Sequence, residues 1–257
     1  AKALLDRPKA VDDDYRWHVS TYIPMHKGIA AGGQLDVAAF ARRLIQRGRE
    51  RKPALGYLTA DFGYGKTSAG LYLWQQATEA GFITVPPFQL NHLPDLLDAT
   101  YGWVRYTLSR TKPNLVTKAE QIYQSYTTQT LNQMSAQSGA SDEVLEQWLQ
   151  SGFLTLDFSP EKITQFFQEM TTLTLDAGFN GLLVLPDELQ QYLEPKIKSG
   201  QSDPIAPLFN LVQMVAAQTD LPFGLLLIIP QKELNVINDQ RSDFIDRIRR
   251  LALDLKA

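Results

Sequence analysis

The fold is decided by the stretch Ala54-Leu-Gly-Tyr-Leu-Thr-Ala-Asp-Phe-Gly-Tyr-Gly-Lys-Thr-Ser-Ala-Gly70. It begins with a short apolar run, turns at Gly63 and Gly65, and continues as the start of a helix. Glycines can adopt backbone angles closed to other residues, so successive N–H groups can point into one concavity that suits an anion. The stretch therefore predicts a strand, a phosphate-binding loop and a helix, in that order.

The residues after the second glycine supply the chemistry of this loop. Lys66 offers an ammonium group to the outer phosphates of a nucleotide, and Thr67 offers a hydroxyl to Mg²⁺. The free N–H groups at the start of the helix face the negative charge. We therefore predict that a nucleoside triphosphate and Mg²⁺ bind here, with contacts from the segment Asp61, Phe62, Gly63, Tyr64, Gly65, Lys66, Thr67 and Ser68.

One position departs from the usual loop pattern. Ala60 stands where the full pattern has its first glycine, and alanine makes a positive φ at this position unfavourable. This leaves open an ordinary glycine-rich turn with a surface lysine. The flanking strand and helix favour the phosphate-binding loop.

A second apolar segment, Gly181-Leu-Leu-Val-Leu-Pro-Asp-Glu-Leu, ends in two adjacent carboxylates. A continuous apolar run is typical of a strand buried on both faces of a parallel sheet, and ligands bind at the carboxyl ends of such strands. We predict that Asp187 holds Mg²⁺ opposite Thr67, and that Glu188 orients and helps deprotonate the attacking water. The alternative is an exposed loop that happens to be acidic.

The remaining pattern alternates strands and helices with one interruption. Strands are predicted at Ala54 to Thr59, Phe82 to Val85, closed by Pro86-Pro87, and Phe223 to Ile229, in addition to the segment ending at Asp187. Helices are predicted at Gln34 to Gly48 and Lys66 to about Ala80, and from Pro94, Thr117, Ser141, Ser159-Pro160, Asp203-Pro204 and Ser242.

Three consecutive helices between Asn91 and Phe158 interrupt this alternation, and the polar stretch 121–138 indicates a surface insertion. We predict an α/β fold, the three-layer sandwich of a P-loop NTPase with a parallel sheet and a helical insertion. Its predicted parts are an N-terminal segment packing on the core (1–33), the first part of the core (34–90), the insertion (91–158) and the second part of the core (159–257). The aromatic N-terminal segment either covers one edge of the core, which we favour, or folds over a bound adenine.

Composition limits the function classes. The chain has 257 residues, of which 44% are hydrophobic, which is enough for one large α/β domain or two small ones. It has no cysteine and only three scattered histidines, so disulfides and thiolate metal sites are excluded and a histidine metal site is not expected. The longest apolar run, 224–230, is too short to span a membrane, and no basic-then-apolar leader occurs. We expect a cytoplasmic protein with no membrane contact, and, because the chain starts at Ala1, a piece of a longer protein.

A basic cluster is the best candidate for contacts to DNA. The chain carries a net charge of −3, so no global electrostatic attraction to nucleic acid is expected. Within residues 42–52, however, six cations occur close together and could contact phosphates: Arg42, Arg43, Arg47, Arg49, Arg51 and Lys52. The alternative is an ordinary solvated helix face.

Two further features complete the predicted site. Gln231 follows the strand that ends at Ile229, where its amide could sense the γ-phosphate; the alternative is a plain surface glutamine. The last predicted helix presents a basic ridge made of Arg247, Arg249 and Arg250.

Four features follow one another along the chain: Gly63-Tyr-Gly-Lys-Thr67, Leu183-Val-Leu-Pro-Asp-Glu188, Gln231 and the arginines 247–250. In this order they resemble the Walker A, Walker B and sensor positions of an AAA+ ATPase core of the initiator or STAND-like kind. The wording Asp61-Phe-Gly-Tyr-Gly-Lys-Thr with Asp187-Glu-Leu-Gln-Gln-Tyr is more narrowly similar to the large ATPases of BREX-type phage-defence systems.

This resemblance implies a five-stranded parallel sheet and an ATP molecule bound with Mg²⁺ between subunits. It also implies a catalytic set comprising Glu188, Lys66 and Gln231, with Arg247 or Arg250 supplied in trans to the γ-phosphate. The fifth strand and the helical lid of the family are expected to be absent before Ala257.

The leading hypothesis is therefore an Mg-dependent ATPase that acts as a motor or switch subunit in a homo-oligomer or a larger multi-subunit complex. The BREX-type resemblance extends this to DNA-related anti-phage defence. The alternative is a nucleotide-gated scaffold or interaction module that binds ATP without significant turnover. A P-loop kinase or GTPase is less favoured, because no Asn/Thr-Lys-x-Asp guanine signature occurs and the adjacent acids suit water activation.

Overall fold

The computed structural model describes residues 27–30, 33–61, 65–138, 141, 144, 159–198, 203, 205–218, 220–240, 242–248 and 251–255. Several predictions about single residues lie outside these ranges: they concern Phe62, Gly63 and Tyr64 of the loop, Arg249, Arg250, and most of the helix expected from Ser141.

The described strands form a single seven-stranded sheet. Their bounds are β1 Lys27–Ala30, β2 Gly33–Asp36, β3 Ala54–Ala60, β4 Ile83–Gln89, β5 Leu182–Asp187, β6 Phe223–Pro230 and β7 Leu251–Leu255. They lie in the order β2-β1-β7-β3-β6-β5-β4. The five strands from β7 to β4 are parallel, as predicted for β3, β4, β5 and β6, and β1 and β2 add an antiparallel hairpin beside β7.

Helices cover both faces of this sheet. Their bounds are α1 Val37–Arg49, α2 Lys66–Glu79, α3 Pro94–Thr111, α4 Val116–Ser138, α5 Pro160–Asp176, α6 Leu189–Lys198, α7 Ala206–Ala216, α8 Gln231–Gln240 and α9 Ser242–Ile248. The predicted cap of α5 is present: the Ser159 hydroxyl accepts the Lys162 N–H, and Pro160 occupies the first helical position. None of the described helices is both long and apolar enough to cross a membrane.

Side chains alternate between two hydrophobic cores along the buried strands. In β6, Leu225 and Leu227 belong to the core beneath α3 and α5, whereas Leu226 and Ile228 belong to the core beneath α1 and α2. A strand buried on both faces has no polar side, which explains its continuous apolar sequence. The chain is therefore the predicted three-layer α/β sandwich.

The predicted absence of a fifth parallel strand is wrong. Residues 251–255 form β7, which pairs in parallel with β3 from Gly56 to Thr59. The sequence that follows α9 is short and its pairing partner lies about 200 positions earlier in the chain, so local patterning could not reveal it.

Two predicted boundaries also change. β4 does not stop at Pro86-Pro87 but continues to Gln89, with a shift of register between Val85 and Phe88. Proline is tolerated because β4 lies at an edge of the sheet, where a missing N–H need not break a ladder. The helix expected from Gln34 begins instead at Val37, because β2 occupies residues 33–36 and the Asp36 carboxylate caps the helix by accepting the Ala39 N–H.

The helices α3 and α4, which belong to the predicted insertion, pack against each other and against the core. The rings of Tyr101 and Tyr123 are stacked with centroids 4.2 Å apart, and the Tyr123 hydroxyl donates to Asp98 at 2.6 Å. Tyr126 is buried and donates to Glu169 of α5 at 2.7 Å. At least the first half of α4 therefore packs on the core.

Candidate functional site

Three adjacent strands bring the predicted site residues to one edge of the sheet. β6 pairs in parallel with β3 on one side and β5 on the other. Ala60 ends β3, Asp187 ends β5, and Gln231 directly follows β6. Since these ends share the carboxyl edge, the residues that end the three strands lie side by side, in the position where α/β sheets bind ligands, which we call the crevice.

The start of α2 has the backbone that an anion site requires. Gly65 precedes the helix in the left-handed conformation, with φ 74° and ψ 28°, and no side chain of the described residues caps this end. A Cβ added at Gly65 would meet no atom of the described residues within 4 Å, so none of them fills the space beside it. The first-turn N–H groups of α2 therefore have no described side-chain partner, and they point toward a site open to a ligand.

Ala60 does not disturb this arrangement. It is buried at the end of β3, where it pairs in register with Pro230, and it is not among the described residues with positive φ. Because residue 60 adopts extended backbone in this structure, the usual glycine is not needed for its conformation.

The two predicted magnesium ligands are in contact. The Thr67 hydroxyl donates to Oδ2 of Asp187 at 2.9 Å, although the two residues are 120 positions apart in the chain. Thr67 is exposed in the first turn of α2, whereas Asp187 is 7% exposed at the end of β5. The pair places a hydroxyl and a carboxylate, both hard oxygen ligands, at the mouth of the crevice.

Asp187 has little water around it. Burial raises the pKa of its carboxyl group, while hydrogen bonds from the Glu188 N–H and the Thr67 hydroxyl act in the opposite direction. The Glu188 N–H donates to Oδ1 at 2.7 Å, so each carboxylate oxygen has one donor. A buried carboxylate is tolerated when it is hydrogen-bonded, and it binds a cation more readily than a hydrated one because less water must be removed.

The Lys66 side chain folds back toward β3. Its ammonium group donates to the carbonyl oxygens of Ala60 at 3.1 Å and Asp61 at 2.9 Å. Burial lowers the pKa of Lys66, whereas the nearby carboxylates of Asp187, Asp61 and Glu233 oppose that shift. Lys66 is thus a half-buried cation at the mouth of the loop, held by two neutral carbonyl groups.

Glu188 has a strained backbone. Its φ is +53°, one of three positive values among the described non-glycine residues, and its side chain is exposed. A left-handed conformation costs a non-glycine residue roughly 1–2 kcal/mol. Such strain concentrates at functional sites, and here it holds a carboxylate beside the buried Asp187.

Gln231 is oriented by two polar neighbours. The hydroxyl of Thr59, a buried residue of β3, donates to its Oε1 at 3.3 Å, and its Nε2 donates to Asn235 at 3.0 Å. Thr59 was not predicted as a site residue, although a polar residue one position before the end of a buried strand was a usable signal. Glu233 was also missed; it lies in the first turn of α8, near enough to Lys66 to influence its pKa.

The remaining predicted site residues are less well placed. Asp61 is exposed and contributes its carbonyl oxygen to Lys66, and Ser68 is half-buried in the first turn of α2. Arg247 lies in α9, but its side chain is outside the described part of the structure, as is the whole of Arg250. Within the described residues, no group of three or more His, Cys, Asp or Glu side chains could hold a metal ion by itself.

The basic cluster at 42–52 lies away from this crevice. It spans the end of α1 and the turn into β3, so its later members lie at the amino edge of the sheet. Arg47 donates to the Pro53 carbonyl and Lys52 pairs with Glu50. Four of its arginines are exposed: Arg42, Arg43, Arg49 and Arg51.

A small apolar cavity also lies at the amino edge. It is lined by residues from α1, α2 and the strand starts, namely Leu44, Ile45, Gly48, Ala54, Ala77, Phe82, Leu182, Leu183, Pro222, Phe223 and Gly224. It contains none of the predicted site residues.

Comparison with known proteins gives a fold-level likeness. No family model matches the chain, and no curated protein matches it closely enough to count as a relative. Among the solved structures that match is the Aeropyrum pernix ORC2 protein in its ADPNP–ADP complexes, with a TM-score of 0.48 and 15% identical residues. The match covers 93% of this chain and 50% of that one, so the chain spans half the length of its structural neighbour. The parallel sheet with helices on both faces defines the fold class: a three-layer α/β sandwich.

Proposed function

We propose that this chain binds ATP with Mg²⁺ at the carboxyl edge of its sheet and hydrolyses it. The observation that carries the proposal is the 2.9 Å hydrogen bond between Thr67 and Asp187. It joins the segment predicted to hold the phosphates to the segment predicted to hold the metal. The two motifs lie 120 positions apart in the chain, and a P-loop nucleotide site requires them to meet.

The residues present suit magnesium. Mg²⁺ prefers oxygen ligands and usually keeps several waters, so it is commonly held by one or two protein groups together with substrate phosphates. One hydroxyl and one buried carboxylate meet that requirement, in keeping with the lack of a larger acidic cluster in the described residues. When bound, the ion would neutralise charge that develops on the phosphates.

Lys66 and the start of α2 would bind the phosphates. The Lys66 ammonium needs only to exchange two carbonyl partners for phosphate oxygens, which are charged and bind it more strongly. The N-terminal N–H groups of α2 would add donors aimed at the same anion, because Gly65 turns the chain without a side chain in the way.

Glu188 would orient the attacking water and accept its proton. Its carboxylate is exposed one residue after the buried Asp187, so it can reach the crevice without being a metal ligand itself. Gln231, held by Thr59 and Asn235, would sense the γ-phosphate from the neighbouring strand. A change in the orientation of the Gln231 amide would alter its hydrogen bond with Thr59 and so affect the end of β3.

Oligomer formation and the biological role belong to the same proposal. Arg247 or Arg250 of a neighbouring subunit would stabilise charge on the γ-phosphate. The exposed arginines of the cluster 42–52 would contact DNA phosphates. A role in BREX-type phage defence stays a prediction from two short motifs, and nothing in the described structure bears on it.

The decisive experiment compares ATP binding with phosphate release in two variants. Lys66→Ala should weaken Mg-ATP binding by about 10- to 100-fold, since hydrogen bonds to charged groups contribute roughly 1.5–3 kcal/mol. Glu188→Gln should leave binding nearly unchanged but slow phosphate release by roughly 10²–10⁴-fold, the usual contribution of a general base. Calorimetric titration and a phosphate-release assay measure the two effects.

Matched controls come from exposed residues of the same type. Lys52→Ala and Glu194→Gln each remove a surface charge engaged in an exposed ion pair, and neither should change binding or release. Equal loss of ATP binding in Lys66→Ala and Glu188→Gln would contradict the separate roles. Tight binding with no release by the assembled protein would favour the scaffold alternative.

A further inference from the structure

The outer side of α3 carries an aromatic and basic surface that the nucleotide site does not use. The buried residues of α3, including Leu97, Val104 and Leu108, lie on one side of the helix. Tyr106 and Arg110, four residues apart, lie on the opposite side. Trp103, three residues before Tyr106, lies beside them and packs partly against the core. With the exposed Lys112 that follows, they form what we term the α3 aromatic surface.

Ring contacts make this surface continuous. The ring of Trp103 meets that of Tyr106 edge to face, with centroids 5.4 Å apart. The guanidinium carbon of Arg110 lies 4.5 Å from the centroid of the Tyr106 ring, within the range of a cation–π interaction. Trp103 and Tyr106 are half-buried and Arg110 is exposed, so the planar groups are held in place but remain accessible.

Protection of the sheet edge explains only one end of this arrangement. The indole N–H of Trp74 in α2 donates to the Thr84 carbonyl of the edge strand β4 at 2.9 Å, and Trp103 packs against Trp74 with centroids 6.2 Å apart. Covering an edge strand in this way prevents its pairing with other chains. Nothing in that role calls for an arginine stacked on a tyrosine farther along α3.

The charge around the surface is also unusual for this chain. Residues 99–119 contain four basic residues and no acidic one, although the whole chain carries a net charge of −3. Arg105 and Lys118 are engaged in ion pairs with Glu120 and Asp176. No acidic side chain in the described ranges forms an ion pair with Arg110 or Lys112, so their charge is available to an anionic partner.

We propose that the α3 aromatic surface binds single-stranded nucleic acid. Bases would stack on the exposed guanidinium plane of Arg110 and on the accessible edges of Trp103 and Tyr106, while Lys112 would contact phosphates. Unpaired bases suit this surface because a duplex keeps its base faces stacked inside. This surface is separate from the cluster 42–52, and it would bind nucleic acid without ATP.

The test is fluorescence anisotropy with a labelled oligothymidylate of about 16 nucleotides at low salt, without nucleotide. The double variant Tyr106→Ala/Arg110→Ala should bind the oligothymidylate at least about tenfold more weakly than the original protein, because it removes two of the planar groups on which bases would stack. Arg110→Glu alone should show a similar loss. Since Arg110 is exposed, this variant guards against misfolding of the double variant.

Three control variants distinguish this surface from the other charged regions of the chain. Tyr106→Phe keeps the ring and should retain binding within about twofold. A purely electrostatic site would also tolerate this change. A second variant, Lys118→Ala, therefore removes a charge elsewhere in the same basic segment. Lys118→Ala should also retain binding, because Lys118 already pairs with Asp176. Lys66→Ala should bind the oligothymidylate normally, so a failure of the ATP proposal and a failure of this one give different results.

Several results would overturn the inference. These are unchanged oligothymidylate binding in both the double variant and Arg110→Glu, a matching duplex bound as tightly as the single strand, and loss of binding only in Arg42→Ala/Arg43→Ala. Binding of a polyglutamate peptide with no binding of oligothymidylate would likewise show that the partner of this surface is an acidic protein and not nucleic acid.

Discussion

The two edges of the sheet differ in what they require from the same strands. The carboxyl edge holds a buried carboxylate at Asp187, a strained backbone at Glu188 and a half-buried cation at Lys66. The amino edge is apolar: Phe82 and Phe223 are buried there and line the small cavity described above. Buried charge reduces stability unless a partner compensates it, so the buried carboxylate and the half-buried cation at the carboxyl edge indicate a ligand site, whereas the apolar amino edge serves folding. Positive φ alone does not distinguish the two edges, because Arg51 and Asp220 also adopt it, just before β3 and β6.

Two glycines, one at each edge of the sheet, illustrate the difference between the edges. Gly65 at the carboxyl edge is needed for its positive φ, and a Cβ there would meet no atom within 4 Å among the residues that the structure describes. Gly181 at the amino edge also has positive φ, but a Cβ there would collide with the carbonyl oxygen of Pro222 and approach the ring of Phe82. The same substitution at each position should therefore separate function from stability.

The largest stability effect is expected for Gly181→Ala. The added methyl group would meet backbone that cannot move aside, in a conformation that alanine rarely adopts, so the free energy of unfolding should fall by about 3 kcal/mol. Urea unfolding measures the change, and ATP affinity of the folded fraction should stay the same. A loss below about 1 kcal/mol would show that the amino edge is less tightly packed than its contacts indicate.

Gly65→Ala should have a smaller effect on stability and a clear effect on binding. The left-handed conformation costs alanine roughly 1–2 kcal/mol, with no clash to add to it. A bound phosphate, however, would approach this position, so Mg-ATP affinity should fall by about tenfold or more. Urea unfolding and calorimetric titration on the same sample give both numbers. Unchanged affinity would place the phosphates away from α2.

The sequence was sufficient wherever a local pattern determined the structure. The apolar run from Ala54, the glycine turn and the helix after it are defined by adjacent residues, and so is the strand that ends at Asp187. Because parallel strands end at a common edge, the meeting of Thr67 with Asp187 followed from the predicted fold alone.

Short strands and distant pairings were missed. The strands β1 and β2 form a local hairpin with four residues in each strand, which is too short for a clear alternation of apolar residues. The strand β7 has five residues and pairs with β3, which lies far away in the chain. The contact from Thr59 to Gln231 spans 172 positions and likewise has no local signal. Strand β4 was cut short because proline usually ends a strand, whereas its position at the sheet edge removes that restriction.

Glu188→Gly should increase the free energy of unfolding and at the same time reduce ATP hydrolysis. Glycine adopts φ +53° without strain, so the free energy of unfolding should increase by about 1 kcal/mol despite glycine's greater freedom in the unfolded chain. Phosphate release should drop as it does in Glu188→Gln. Since Glu188→Gln keeps the strain, it should show no such gain, and equal stability of the two variants would mean that the backbone at 188 relaxes freely.

The smallest effect is expected for Asp187→Asn, and it should depend on pH. Because burial raises the pKa of Asp187 above its value in the unfolded chain, the wild-type protein should lose stability as pH rises through the folded-state pKa of this group. The asparagine variant lacks that titration. Its stability relative to the wild type should therefore increase from acidic to neutral pH, as measured by urea unfolding without Mg²⁺ at a series of pH values.

The same variant should weaken Mg-ATP binding, because an amide oxygen is a poorer magnesium ligand than a carboxylate. Asp176→Asn is the matched control, since Asp176 is an exposed carboxylate paired with Lys118 away from the crevice. A relative stability of Asp187→Asn that falls as pH rises would mean that the hydrogen bonds from Thr67 and Glu188 outweigh burial. Asp187 would then stabilise the carboxyl edge without any ligand, and its burial would no longer indicate a binding site.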